Sequence, residues 1–157
     1  MSRFEGKIVL VTGGNSGIGL DAAHGFASEG AKVVITGRDQ ATLDAAAASI
    51  GNETLAIKAD SGSIAEIEKV ISAISKKHGR IDTVFANAGV AKFSPVEEVT
   101  EADWDWIMNI NLKGVFFTVQ KALTIMPDGG SIVINSSAAH VKASPRMAFM
   151  RPRSRAF

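Results

Sequence analysis

The sequence predicts a protein of the α/β class, with a doubly wound parallel sheet of about five strands in the order 3-2-1-4-5. Short apolar runs rich in β-branched residues alternate with longer segments of helical period. Strands that alternate with helices form parallel sheets covered by helices on both faces. The chain has 157 residues, 46% of them apolar and 21% charged, which fits a single globular domain.

Each predicted element follows from a local pattern. The strands are the runs "KIVLV", "KVVIT", "TLAIK", "DTVFA" and "SIVIN", at 7–11, 32–36, 54–58, 82–86 and 131–135. A helix over 63–79 is predicted by isoleucines on one face, with Ser63 as its N-cap and Gly79 as its C-cap. The longest helix should run over 100–123, because "TEAD" at its start is a capping-box pattern.

Composition and charge exclude several classes of protein. The net charge of +1 gives no strong attraction to nucleic acid or to an anionic membrane. The absence of cysteine excludes a disulfide framework and a thiolate metal site, and no apolar run is long enough for a signal peptide or a membrane span. His24, His78 and His140 have no metal-ligand spacing, so each is assigned to the surface or to packing. We therefore expect a cytoplasmic protein without a metal, nucleic-acid or membrane partner.

A glycine-rich turn, "TGGNSGIG", separates the first strand from the first helix. Glycine can adopt positive φ and lets backbone N–H groups approach a pyrophosphate at a helix N-terminus. The spacing is G-x-x-x-G-x-G rather than G-x-G-x-x-G, and a tight turn alone is the alternative. Its place between a strand and a helix favours dinucleotide binding. The candidate cofactor-binding residues of this turn are Gly13, Asn15, Ser16, Gly17, Ile18 and Gly19.

The end of the second strand, "VVITGRDQ", indicates which dinucleotide would bind. A site for NAD needs a carboxylate there to hold the ribose 2′-hydroxyl, whereas Gly37 offers none and Arg38 offers a guanidinium for a 2′-phosphate. NADP(H) is therefore favoured over NAD. In the alternative interpretation, Arg38 is a solvated arginine after a strand. Asp39 is better placed as the N-cap of the next helix.

Several motifs in this order resemble those of the short-chain dehydrogenase/reductase family, over nearly all of the chain. They are Thr12-Gly13-x-x-x-Gly17-x-Gly19, Asp60 after the third strand, Asn87-Ala88-Gly89 after the fourth, Asn111 in the long helix and Ser136-Ser137 after the fifth. The resemblance implies a Rossmann-like fold and an oxidoreductase that transfers hydride between a nicotinamide cofactor and a small carbonyl or alcohol. The sequence does not identify that substrate.

The resemblance also implies a role for each of these residues. Asp60 would contact the adenine, and residues 87–89 would stabilise the central sheet and border the cofactor. Asn111 would hold a water of a proton relay, and Ser137 would hydrogen-bond the substrate oxygen. Each has a structural alternative: a turn at Asp60 and at 87–89, a satisfied buried amide at Asn111, and a loop serine at Ser137.

The family's reaction needs a proton donor that this sequence lacks. The resemblance implies a Tyr-x-x-x-Lys motif downstream of Ser137, and the corresponding positions are Met150 and Ser154. The chain contains no tyrosine. Neither a thioether nor an unactivated serine hydroxyl can replace a phenol and its ammonium partner. Losing positioned acid–base help costs roughly 10²–10⁴ in rate, so we expect this chain to be inactive.

The last residues, "MRPRSRAF" at 150–157, suggest how that motif was lost. One DNA stretch that encodes Tyr-Ala-Ala-Thr-Lys-Ser-Gly-Val, typical of the family's active-site helix, encodes these residues when it is read from its second base. We therefore expect a frameshift in the gene, the clone or the sequence record. It would leave an incomplete dinucleotide-binding domain at 1–147 and a disordered, out-of-frame tail at 148–157.

Two further expectations concern association. Without the family's C-terminal strands and helices, apolar surface near 131–135 would be exposed, which predicts low solubility or unusual association. The helix at 100–124 is a candidate homo-oligomer interface, with one of Trp104 and Trp106 packed inward and the other exposed or at the interface. If the C-terminus is natural instead, the chain would be a non-catalytic nucleotide-binding or interaction module.

Overall fold

The sheet is the centre of the fold, and its strand order is the predicted one. The computed structural model describes residues 2–51 and 53–137. Five parallel strands lie in the order β3-β2-β1-β4-β5, which confirms the α/β, Rossmann-like prediction. They are β1 Ile8–Thr12, β2 Lys32–Gly37, β3 Leu55–Lys58, β4 Thr83–Ala86 and β5 Ser131–Ile134.

Helices cover the sheet where the apolar periodicity predicts them. They are α1 Gly17–Ser28, α2 Gln40–Ile50, α3 Ile64–His78, α4 Glu101–Met108 and α5 Val115–Ala122. Asp39, Ser63 and Thr100 cap α2, α3 and α4 as predicted, each by accepting a backbone N–H at its own helix start. The long helix does run on from Thr100, but a π-helical segment at Asn109–Gly114 joins α4 to α5. The sequence pattern did not predict that segment.

Alternate residues of β1 point into two apolar cores, one on each face of the sheet. Ile8 and Leu10 pack with the buried face of α3, whereas Val9 and Val11 pack with α1 and α2. All five residues of β1 are buried. This double burial is the arrangement expected of a central parallel strand, and it fixes the position of the loop that follows β1.

A buried carboxylate joins β1 and β4 at the edge of the sheet where these strands begin. Asp82, just before β4, accepts the Ile8 N–H at 2.9 Å and is paired with Lys7 at 3.3 Å and Arg80 at 3.0 Å. Burial raises the pKa of the Asp82 carboxyl, but the Ile8 N–H and the two cations outweigh it and hold the pKa below its usual value. Asp82 is therefore a charged anchor between β1 and β4.

The region around the long helix is more open than predicted. Trp104 is 51% exposed and Trp106 39% exposed, so the prediction that one of them packs inward is wrong. Ile107 takes the one buried position of α4 and leaves the tryptophans on its flanks. In residues 2–51 and 53–137, no helix has the length and apolar character that a bilayer crossing requires, and no cluster of potential metal ligands is found.

Candidate active site and cofactor groove

The candidate residues come together because parallel strands bring their carboxyl ends to one edge of the sheet. The loops after β1, β2, β3 and β4 form a groove at that edge. The groove is lined by Gly13, Gly37, Arg38, Ala59, Asp60, Ser61, Ala88, Gly89, Val90 and Ile110. The sequence prediction had placed Gly13, Arg38, Asp60, Ala88 and Gly89 at such a site.

The glycine turn needs glycine for two different reasons. Gly13 has φ of 65° and Gly17 has φ of 52°, a region that side chains disfavour. A Cβ on Gly19 would collide with the carbonyl oxygen of Gly13 and lie 2.5 Å from Nδ2 of Asn87. The turn and the start of α1 are therefore packed backbone against backbone.

The N-terminus of α1 has no side-chain cap. Its N-cap residue, Ser16, makes no capping hydrogen bond, and the first turn holds no acidic residue. Ile18 in that turn is 66% exposed. The first N–H groups of a helix need a partner and carry partial positive charge, so this end suits an anion such as a pyrophosphate.

Asn15 has a structural contact in the turn. Its Nδ2 donates to Oγ1 of Thr42 at 2.8 Å, which links the turn to α2. A Cβ on Gly37 would lie 2.6 Å from Oδ1 of Asn15, and the Gly14 N–H donates to the Thr36 carbonyl at 3.1 Å. The loops after β1 and β2 are thereby held at a fixed separation.

Arg38 lies on the groove wall with an available guanidinium. It is exposed, and among the described residues it has no hydrogen bond or ion pair. The neighbouring Asp39 is engaged elsewhere, because Oδ1 of Asp39 accepts the Thr42 N–H at 2.8 Å. This hydrogen bond lowers the pKa of the Asp39 carboxyl. The loop after β2 therefore places a guanidinium on the groove wall, whereas its carboxylate is used to cap α2.

Asp60 forms a turn at the end of β3, the alternative that its sequence position left open. Its Oδ1 accepts the Gly62 N–H at 2.8 Å, and its own N–H donates to Oε2 of Glu66 at 2.6 Å. Asp60 also lines the groove. The turn and the groove wall are thus built from the same residue.

Asn87 is the hub that joins three strand ends. Its Nδ2 donates to the carbonyls of Thr12 at 3.1 Å and Gly13 at 3.3 Å, and its Oδ1 accepts from Asn135 at 2.9 Å. Oγ1 of Thr12 accepts the N–H groups of Asn87 and Ala88, both at 3.0 Å. Sequence reasoning gave no role to Asn135, although its position directly after β5 matches that of Asn87 after β4.

Asn111 is held against the loop after β4. Its Oδ1 accepts the Val90 N–H at 2.8 Å, and its Nδ2 donates to the Val90 carbonyl at 2.7 Å. The side chain is satisfied, as one alternative supposed, but it is exposed rather than buried. Both halves of the amide are already occupied by protein atoms.

The candidate catalytic serine lies at the end of β5. Ser136 and Ser137 are both exposed, and Ser137 is the last residue of the described range. Met150, Ser154, His140 and the tail predicted at 148–157 lie outside the described residues. The described part of this site therefore ends at Ser137.

A larger cavity, of about 340 Å³, lies at the opposite edge of the sheet beside Arg3, Lys7, Arg80 and Asp82. Its cations are engaged, since Lys7 and Arg80 pair with Asp82, and Arg3 pairs with Glu29 at 3.0 Å. It lies away from every loop that carries a candidate site residue. We assign the functional site to the smaller groove, because the loops after four strands line it and because Gly13 on its wall begins the turn that leads to the uncapped helix.

Comparison with known proteins gives one consistent result. The family model for short chain dehydrogenase matches residues 7–149. Oxidoreductase asL5 of Sarocladium schorii is 37% identical over 92% of this chain and 59% of its own length. The NADP-dependent (R)-specific alcohol dehydrogenase of Lentilactobacillus kefiri is 38% identical over 87% of this chain and 56% of its own length. The chain thus spans a little over half the length of these curated relatives.

A solved structure gives the same fold. The crystal structure of a short chain dehydrogenase/reductase from Burkholderia phymatum in complex with NAD superposes with a TM-score of 0.89 at 28% identity. The match covers 96% of this chain and 56% of that one. The five-stranded sheet and its helices are therefore those of this structural neighbour.

Proposed function

The chain belongs to the short-chain dehydrogenase family, and from that premise we propose that it binds NADP(H) in the groove at the carboxyl edge of its sheet. The whole protein would act as an oxidoreductase on a small carbonyl or alcohol. The observation that carries the proposal is the conjunction of the uncapped α1 N-terminus with the available guanidinium of Arg38. The proposed cofactor-binding residues are Gly13, Asn15, Ser16, Gly17, Ile18, Gly19, Arg38, Asp60, Asn87, Ala88 and Gly89.

The residues present suit a pyrophosphate. Glycine at 13 and 19 lets the turn pack closely against Asn87 and the start of α1, and the first turn of α1 supplies N–H groups without a side-chain cap. Asn15 and Asn87 hold the turn in place through hydrogen bonds to Thr42 and Thr12. These features support binding of a dinucleotide phosphate but do not distinguish NADP(H) from NAD(H).

The preference for NADP(H) rests on Arg38. A guanidinium matches the geometry and charge of a 2′-phosphate, and no carboxylate is free at this strand end because Asp39 caps α2. One relative is described as NADP-dependent, and one structural neighbour was solved with NAD. Similarity to these proteins therefore does not distinguish NADP(H) from NAD(H), and the preference for NADP(H) rests on Arg38 and Asp39.

The bound cofactor would supply the hydride, and the chain's residues would position the substrate oxygen and its proton. Ser137 would donate a hydrogen bond to that oxygen, and Asn111 would keep the loop at Val90 in place. The 157 residues contain no tyrosine to act as proton donor. We propose that they bind cofactor but do not turn over substrate on their own.

Titration of the purified chain with NADPH and NADH by calorimetry tests this proposal. We expect tighter binding of NADPH, and we expect Arg38→Asp to weaken NADPH binding by about 10–100-fold, the range of a lost charge-assisted bidentate contact. Lys32→Asp is the matched control, since Lys32 is an exposed cation at the other end of β2. Equal effects of the two variants, or no binding of either cofactor, would refute the assignment.

A second candidate function is a non-catalytic nucleotide-binding or interaction module. The absence of tyrosine favours it, because such a module needs the groove but no proton donor. The coding DNA across codons 145–157 and beyond distinguishes the two. A one-base restoration that opens a frame with Tyr-x-x-x-Lys supports the oxidoreductase, whereas a conserved stop in independent clones supports the module.

Association and location complete the proposal. The exposed Trp104 and Phe116 on the long helix support a homo-oligomer through residues 100–124. Light scattering should show more than one copy, and a monomer at micromolar concentration would refute this. A cytoplasmic location is supported by the absence of cysteine, and imaging of a tagged chain in its host would test it.

A further inference from the structure

At Gly114, the π-helical segment at Asn109–Gly114 contacts the loop after β3 backbone to backbone. A Cβ on Gly114 would collide with the carbonyl oxygen of Ser61 and would lie 3.0 Å from its carbonyl carbon. Gly114 is buried, and its φ of −61° is ordinary for a helix. Glycine is therefore required here by the closeness of the two backbones and not by conformation.

A second contact lies one residue further along the same loop. A Cβ on Gly62 would lie 3.3 Å from Cγ1 of Ile110 and 3.3 Å from Oδ1 of Asp60. Ile110 is buried and lines the groove. The loop and the π-helical segment are thus in close contact at two points, next to the groove wall.

Hydrogen bonds within the loop after β3 couple the position of Ser61 to that of Asp60. The Gly62 N–H donates to the Asp60 carboxylate at 2.8 Å, and the Asp60 N–H donates to Glu66 at 2.6 Å. These hydrogen bonds make Asp60–Gly62 a compact turn. A displacement of Ser61 would therefore also displace Asp60, which lines the groove.

The same segment also contacts the opposite wall of the groove. Asn111 makes two hydrogen bonds to the backbone of Val90, at 2.8 and 2.7 Å. One face of the π-helical segment therefore contacts the loop after β3, and its Asn111 holds the loop after β4. π-helical turns are rare and often lie at functional sites.

We propose that Gly114 is a positioning residue for the adenosine half of the cofactor. By admitting the Ser61 carbonyl against the π-helical segment, it sets where the Asp60–Gly62 turn lies, and Asp60 is the residue that the family resemblance would place against the adenine. The proposal rests on the proposed function, because it requires a dinucleotide in the groove. It adds a residue that lies behind the groove wall and does not itself touch the cofactor.

The test compares two ligands that differ only at the adenine. These are NADPH and its deamino analogue, in which hypoxanthine replaces adenine, titrated into the wild-type chain and into Gly114→Ala. The ratio of the two dissociation constants is independent of the folded fraction, so a purely structural defect leaves it unchanged. We expect the wild type to prefer NADPH by about tenfold, the value of one hydrogen bond to a charged group.

In Gly114→Ala we expect NADPH affinity to fall by about tenfold and the ratio to move toward one. The matched control is Gly25→Ala, in the middle of α1, where a Cβ would meet nothing within 4 Å. It should leave both affinities unchanged. An unchanged ratio in Gly114→Ala, or a wild-type ratio of one, overturns the proposal.

Gly62→Ala keeps the test decisive if Gly114→Ala does not fold. Its Cβ presses on Ile110 and Asp60 from the loop side, at 3.3 Å from each, and meets no backbone atom within that distance. We expect a smaller change in the ratio, in the same direction. A wild-type chain that binds neither NADPH nor NADH would refute the proposed function itself, which is a different outcome from normal binding with an unchanged ratio.

Discussion

β1 and β5 belong to one sheet and lead to the two halves of the candidate site, yet they differ completely in burial. Every residue of β1 is buried, and every residue of β5 is exposed. β1 leads into the glycine turn, and β5 leads into Ser136 and Ser137. The difference teaches that the proposed cofactor groove is held by packing among the described residues, whereas the position of the candidate catalytic serine depends on one strand pairing.

The pairing explains the contrast. β1 has β2 on one side and β4 on the other, and its alternate residues enter both cores. β5 pairs with β4, and no other strand of the described residues pairs with it. Beyond that ladder, Asn135 ties the strand end to Ala86 and Asn87. Substitutions in the two strands should therefore have very different costs.

The largest effect is expected at the centre of β1. Leu10→Ala should lower the free energy of unfolding by about 2–5 kcal/mol, because Leu10 is 0% exposed and its removal leaves a cavity between β1 and α3. Urea denaturation followed by circular dichroism measures the change. A loss below about 1 kcal/mol would show that the β1 side of the comparison is less tightly packed than its burial indicates.

The next effect concerns binding rather than folding. Gly19→Ala should weaken NADPH binding at least about tenfold, since its Cβ would push the Gly13 carbonyl and the Asn87 amide out of place. Gly25→Ala, in the same helix, is the control for helix propensity and should bind as the wild type does. Fluorescence titration measures both, and equal affinities would mean that the turn does not hold the cofactor.

The elements that the sequence predicts well are those whose pattern is local. The apolar runs of β1, β2 and β4 and the caps at Ser63 and Thr100 are visible in short stretches, and the structure has them. The glycines likewise predicted a tight turn that can adopt positive φ, and the structure has positive φ at Gly13 and Gly17 but not at Gly19. These features depend on neighbours in sequence, so one chain is enough to see them.

What the sequence does not predict depends on contacts between distant residues. The π-helical segment coincides with the approach of Gly114 to Ser61, which are far apart in the chain. The exposure of Trp104 and Trp106 follows from Ile107 taking the inward position of α4, which periodicity alone did not decide. No local signal carries such information, because the partner lies on another element.

A third prediction tests the anchor that binds β1 to β4. Because the pKa of Asp82 is held below its usual value, the carboxylate stabilises the fold above about pH 4, and that stability is lost as the pH falls toward the folded-state pKa. Asp82→Asn should cost about 1–3 kcal/mol at pH 7, and the difference from wild type should shrink below about pH 4.

Asp128→Asn serves as the control for that measurement. Asp128 is exposed and, like Asp82, lines the cavity at the edge of the sheet opposite the groove. Its substitution should therefore change the free energy of unfolding little at any pH. Urea titrations at pH 3, 5 and 7 distinguish the variants. A pH-independent cost at Asp82 would mean that packing, and not charge, provides the anchor.

The smallest expected effect lies in β5 and has an exact counterpart in β1. Val11 and Val133 pair with opposite sides of Phe85, but Val11 is 0% exposed and Val133 47% exposed. Val11→Ala should cost about 2 kcal/mol, as expected for two buried carbons and the space they leave. Val133→Ala should stay within about 0.5 kcal/mol. Equal costs would mean that another surface covers β5 in solution. Val133 would then be as buried as Val11, and the two strands would not differ in packing.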